Sequence, residues 1–170
     1  MEEKVELLVA GILATSAAVH HGQDSVHSAE VKTFHGVSEM LRLLEQLEPS
    51  QLRAVQPTVE KVLKEILLGQ LSKICLSAGF YRVLGDVWLE LFTRGSNRNL
   101  LDVAGELQVS LSAKSTLSTQ GKIAVMYCLG VISTCKDARM LSGHLTDTLA
   151  CATRFLKLAT PERAADNELR

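Results

Sequence analysis

Histidine, cysteine and carboxylate side chains close together are the parts from which metal sites and acid–base machinery are built. In this sequence they first gather between residues 20 and 35, where His20, His21, His27 and His35 accompany Asp24 and Glu30. A helix offers two zinc ligands on one face only at i,i+3 or i,i+4. No histidine pair has that spacing, and the mixed pair His20–Asp24 straddles Gly22. These residues are expected to be polar loop histidines between two helices, and no metal ligand is assigned. The cysteines are Cys75, Cys128, Cys135 and Cys151, all inside apolar stretches without a C-x-x-C pair. On one helix, Cys128 and Cys135 would lie about 10 Å apart at about 1.5 Å per residue. That is beyond the reach of a disulfide. Reduced, buried thiols acting as small hydrophobes are expected, as in a cytoplasmic or nuclear protein.

Other chemistry fares no better. There is no G-x-S-x-G elbow, and Cys75 sits in Ile-Cys-Leu, an apolar flank that disfavours the thiolate. Gly121-Lys122 lacks the upstream glycine of a phosphate-binding loop. Asp86 and Glu90 are spaced i,i+4, with Arg82 one turn before them, and read as a solvated helix face. Arg94 and Arg98 flank a helix junction and form a small positive corner. With Glu90 and Asp102 close by, a mixed-charge surface is the simpler expectation. No catalytic residue, cofactor site or cofactor is assigned, and the chain is not expected to be an enzyme.

The elements that would position any site are helical. Apolar residues make up 46% of the chain but aromatics only 4%, which favours helix-on-helix packing over strands. Residues 3–20, 28–47, 58–78, 80–92, 100–111, 120–135 and 138–158 carry helical periodicity, and a further short segment opens at Ser50. Ser28 is expected to cap the second helix, whose apolar stripe is Val31, Phe34, Val37, Leu41 and Leu44. Pro57 is expected to start a new helix capped near Gln56, and Gly79 to end it. Glu60–Lys64 and Lys61–Glu65 are spaced as ion pairs. Residues 7–19 resemble the apolar core of a secretory signal, but the acidic start Glu2-Glu3 argues for a buried first helix instead. The stretch is too short to span a bilayer, which takes about 20 residues. Residues 123–132 are apolar on every side and are expected to form a core helix. Trp88, with Leu89, Leu91 and Phe92, marks either a central helix or one half covered by a partner, with the core expected.

Seven or eight helices result, in one domain over residues 1–160 and a charged, flexible tail over 161–170. They group as pairs of about 40 residues, the size used by stacked helical repeats. At that level the chain resembles the armadillo/HEAT class, although no consensus returns at a fixed period. The resemblance implies an all-α fold of stacked antiparallel helix pairs, with an irregular helical bundle as the competing architecture. It carries no functional residues across. A net charge of −1 argues against an electrostatic nucleic-acid binder. The expected function is a scaffold or adaptor module that presents a helical groove to a peptide or helix of another protein. A structural bundle serving as an obligate homo- or hetero-oligomerisation domain is the alternative. The partner-binding residues are not legible at this level.

Overall fold

In the computed structural model the described residues are 1–22, 25–74, 77–112 and 114–135, with 150 and 153 beyond them. Among these residues there are six α-helices and no strand: α1 (Glu2–His20), α2 (Val26–Leu44), α3 (Pro49–Leu68), α4 (Ala78–Glu90), α5 (Leu100–Ser110) and α6 (Thr119–Thr134). A short 3-10 turn, Gln70–Lys73, follows α3, and a π-helical turn, Leu91–Gly95, follows α4. The helix expected over 138–158 and the tail 161–170 lie outside the described residues. No described helix is long and apolar enough to cross a membrane.

Serine opens three of the helices. Ser25, Ser77 and Ser118 each turn a hydroxyl back to accept from the third residue on: Ser28 N at 3.2 Å, Phe80 N at 3.3 Å and Gly121 N at 3.0 Å. Each satisfies one amide that the first helical turn leaves without a partner. Ser28 is therefore inside α2, and the cap is one turn earlier than its spacing suggested. Gly22, at φ 67°, ends α1 in the left-handed geometry that glycine adopts without strain. Gly79 does not end a helix; it sits in the first turn of α4, and Gly69 stands at the end of α3.

Pro57 does not interrupt the chain either. α3 runs through it from Pro49, capped by Glu48 and Gln51. A proline inside a helix costs about 3 kcal/mol. Against that, Leu52, Val55, Val59, Val62, Leu63, Ile66 and Leu67 form one buried stripe that crosses Pro57 without a change of phase. Pro57 itself lies on the exposed side. Burying several large aliphatic side chains, each contributing roughly 1.5–3 kcal/mol, outweighs the break.

Packing follows the small residues. α1 rests on α2 and α3, α2 on α4, α4 on α6 and α5 on α6, while α3 also meets the π turn. α2 buries only part of the stripe expected of it: Val37 and Leu44 are buried and Leu41 is partly buried against the core. Ala29, Thr33, Gly36, Val37, Met40, Leu43 and Leu44 face inward, and Val31 and Phe34 turn out to 54% and 38% exposure. Gly36 favours that rotation: a Cβ there would lie 3.1 Å from Ile12 Cγ1, so α1 comes close over this position. Thr33 is tolerated inside because its hydroxyl donates to the Ala29 carbonyl at 2.7 Å. α1 buries one face through Val5, Val9, Ile12 and Ser16 and leaves Leu7 exposed. α6 likewise buries Ala124, Val125, Cys128, Leu129 and Ile132 but exposes Tyr127 and Gly130, so it is not apolar-buried on every side. Trp88 is fully buried at the centre, with Phe80, Leu84 and Leu91.

Candidate functional site

The residues whose types suggested chemistry are dispersed. His20, His21, His27 and His35 are all exposed, and His27 and His35 ride on α2 and not on a loop. The rings of His20 and His21 meet edge-on at 5.3 Å. Asp24 lies outside the described residues. Among the described residues no three His, Cys, Asp or Glu side chains are placed to hold a metal ion. Cys128 and Cys135 are buried free thiols, and burial pushes both above the ordinary thiol range. Cys75 and Cys151 lie outside the described residues. Asp86 and Arg82 face solvent, but Glu90 departs from the expected solvated face: its side chain is 16% exposed and pairs with Arg94.

The expected positive corner divides in two. Arg94 turns inward. Its guanidinium donates to the carbonyls of Leu47 at 2.6 Å, Glu45 at 3.2 Å and Leu44 at 3.4 Å, and pairs with Glu90. It thereby satisfies the carbonyls of Glu45 and Leu47 just past the end of α2, and shares the Leu44 carbonyl with Leu47 N. Arg98 stays exposed, on the loop that leads into α5.

Beside Arg98 a buried polar network joins α3 to that loop. Gln56 and Glu60 are 4% and 6% exposed, which polar groups tolerate only when their hydrogen bonds are met. Gln56 Nε2 donates to Glu60 Oε1 at 2.8 Å and to the Ser96 carbonyl at 2.7 Å. Its Oε1 accepts from Ser96 N at 2.8 Å. Asn99 Nδ2 donates to the second oxygen of Glu60. Gly95 makes the approach possible, because a Cβ there would come 2.5 Å from Gln56 Oε1. The expected Glu60–Lys64 pair is thus absent: Lys64 reaches Glu106 on α5 at 2.8 Å. Glu65, expected to pair with Lys61, instead accepts from Ser16 Oγ at 2.7 Å and Gln70 N at 3.2 Å.

This network floors an open hollow of about 460 Å³ walled by Arg53, Pro57 and Arg98. A second, of about 490 Å³, continues along α3 past Lys61 and Lys64 and shares Pro57 and Glu60 with the first. Together they form a groove along the outer face of α3, with hydrogen-bonded polar groups below and cations at the rim. A smaller, apolar hollow of about 320 Å³ lies between α2 and the start of α4, lined by Val31, Phe34 and Phe80. Phe34 rests on Phe80 with ring centroids 5.6 Å apart, and Tyr81 on Tyr127 at 5.1 Å, so aromatic pairs bridge α2, α4 and α6 in turn.

In the sequence Gln56 reads as a helix cap and Glu60 as half of an ion pair with Lys64, and neither these nor Ser96 and Asn99 read as parts of a site. The available signal was a polar residue, Gln56, one position from the buried stripe on α3. Comparison of the chain with family models, curated proteins and solved structures returns no match. The site is therefore interpreted from its own geometry and charge.

Proposed function

We propose that the chain is a non-enzymatic protein–protein interaction module whose groove along α3 receives a segment of another protein. The observation that carries this reading is the prebuilt floor: the Gln56–Glu60–Asn99–Ser96 network fixes the groove before any partner arrives. A rigid site loses less freedom on binding than one that must be ordered. The order of packing supports an armadillo/HEAT-like arrangement of the helices. α2, α4 and α6 follow one another in contact, α1 lies on α3, and Lys64–Glu106 links α3 to α5. In such an arrangement one helix of each pair lines a continuous binding surface. Buried free thiols at Cys128 and Cys135 agree with a cytoplasmic or nuclear setting.

Affinity capture from cell extract, with mass-spectrometric identification, tests the reading when the parent is compared with an Arg53→Glu, Arg98→Glu variant. A partner retained by the parent and lost by the variant is expected. An unchanged set of captured proteins refutes the groove as the binding surface.

A second reading, self-association, is favoured by the apolar hollow at Val31 and Phe34, whose exposure on α2 is atypical of a fully satisfied surface. Light scattering on the eluting protein separates the two. A dimer dispersed by Phe34→Asp supports self-association, and a monomer excludes it.

A further inference from the structure

We infer that the groove on α3 takes an acidic side chain, a glutamate or aspartate of an extended peptide segment, between Arg53 and Arg98. The inference rests on the interaction-module reading and names its ligand chemistry. Three observations lead to it. Both arginines are exposed on the same hollow, and neither guanidinium meets a carboxylate among the described residues. Elsewhere the exposed or half-exposed cations Arg42, Lys64 and Arg94 are each paired with a carboxylate. Arg82 and Lys61 are likewise without a carboxylate partner among the described residues; Arg53 and Arg98 differ in lining one hollow together, from separate elements, α3 and the loop before α5.

The floor chooses between anions. Glu60 accepts from Gln56 and Asn99 at its two oxygens and has no cationic partner, so its negative charge is held in place below the arginines. Two cations above one carboxylate leave a single positive charge to be met. A side-chain carboxylate matches it, whereas a doubly charged phosphate would add repulsion from Glu60. Guanidinium groups also bind carboxylates through two parallel hydrogen bonds, which a lone ammonium does not. The loop that carries Arg98 does not have to be ordered for this. Ser96 is held by Gln56 on both its N–H and its carbonyl, and Ser96 Oγ accepts from Arg98 N at 3.4 Å.

The experiment uses the full chain and an array of capped nonapeptides with randomised neutral flanks. The central position is Glu, Asp, Gln, phosphoserine or Lys. Glu and Asp peptides should bind about fivefold to tenfold more tightly than their Gln counterparts, the scale of one well-made exposed charge pair. The preference should weaken as salt is raised. Arg53→Glu with Arg98→Glu should invert it toward Lys, with the melting temperature unchanged because both side chains are exposed. If peptides bind without regard to the central charge, or if the double variant keeps the acidic preference, the inference fails while the interaction-module reading stands. If phosphoserine binds more tightly than Glu, the carboxylate assignment is overturned. If no peptide of any kind binds, the inference falls and the reading of the groove as a peptide site falls with it.

Discussion

Trp88 is fully buried and stacks on Phe92, with ring centroids 5.5 Å apart and planes 8° from parallel. Replacing it with alanine should cost about 3–5 kcal/mol through lost burial and a residual cavity. A domain of ordinary stability has roughly 5–15 kcal/mol to lose, so Trp88→Ala should be poorly folded by circular dichroism. Trp88→Phe should be tolerated much better. The indole N–H is buried without a hydrogen-bond partner among the described residues, and its removal offsets part of the lost packing. A parent emission maximum typical of exposed indole, with an unchanged melt for Trp88→Ala, would contradict this. Cys128 is a second residue-scale case. Burial raises its folded-state pKa above the ordinary 9.0, so the neutral thiol is the form that the fold favours. Below pH 9 both states carry that form and the contribution is intact. Above it the unfolded chain ionises first, and stability drains away as pH rises. The parent should therefore lose more melting temperature than Cys128→Ala between about pH 9 and 10.5, and native Cys128 should label slowly with a thiol reagent. Burial of both residues was legible because each sits in a run that is apolar on several sides.

At the scale of elements, the glycines distinguish packing from mere tolerance. A Cβ at Gly85 would come 2.7 Å from Tyr127 Cε1, so α4 and α6 approach each other over this residue. Gly85→Ala should lower the melting temperature by pushing Tyr127 off α4. Gly105 and Gly130 have nothing within 4 Å of the same position. Alanine there should raise stability by about 0.5–1 kcal/mol each, through helix propensity alone. Equal effects at all three positions would show that α4 and α6 do not pack as described. Helix existence and type were readable from periodicity for α1, α2, α4, α5 and α6, whereas α3, expected as a short segment from Ser50 and a separate helix over 58–78, runs Pro49–Leu68 and gives way to a 3-10 turn. The break at Pro57 misled because local proline chemistry was weighed above the buried stripe that passes through it. The rotation of α2 was hidden for a different reason. Val31 and Phe34 are larger than Ala29 and Gly36, and hydrophobicity ranks them for the core. Yet close approach of α1 selects the small residues.

For the molecule as a whole, far-UV circular dichroism should show strong helical minima with well under the roughly 20–25% strand of an average globular protein. More strand than that would end the all-α description. The groove was not legible in the same way. Its floor joins residues 40 positions apart in Gln56 and Ser96, and 39 apart in Glu60 and Asn99. Glu60 has a lysine at i+4, the spacing of a solvated ion pair, and only the tertiary arrangement turns it toward an amide from another element. Periodicity reports which face of a helix is apolar, and is silent on which polar residues a distant loop will cover.

Arg94 bonds across 50 positions to Leu44 and 47 to Leu47, holding the end of α2 against the π turn after α4. Neighbouring helices in an all-α fold can open separately when their interface is weak. This guanidinium makes opening a shared event: α2 cannot fray at its end without releasing the turn, and the turn cannot unwind without exposing the Glu45 and Leu47 carbonyls. Amide hydrogens in the last turn of α2 and along α4 should then exchange with deuterium at a common rate. With Arg94→Lys, one ammonium cannot span the same acceptors, and the end of α2 should exchange earlier while α4 lags behind.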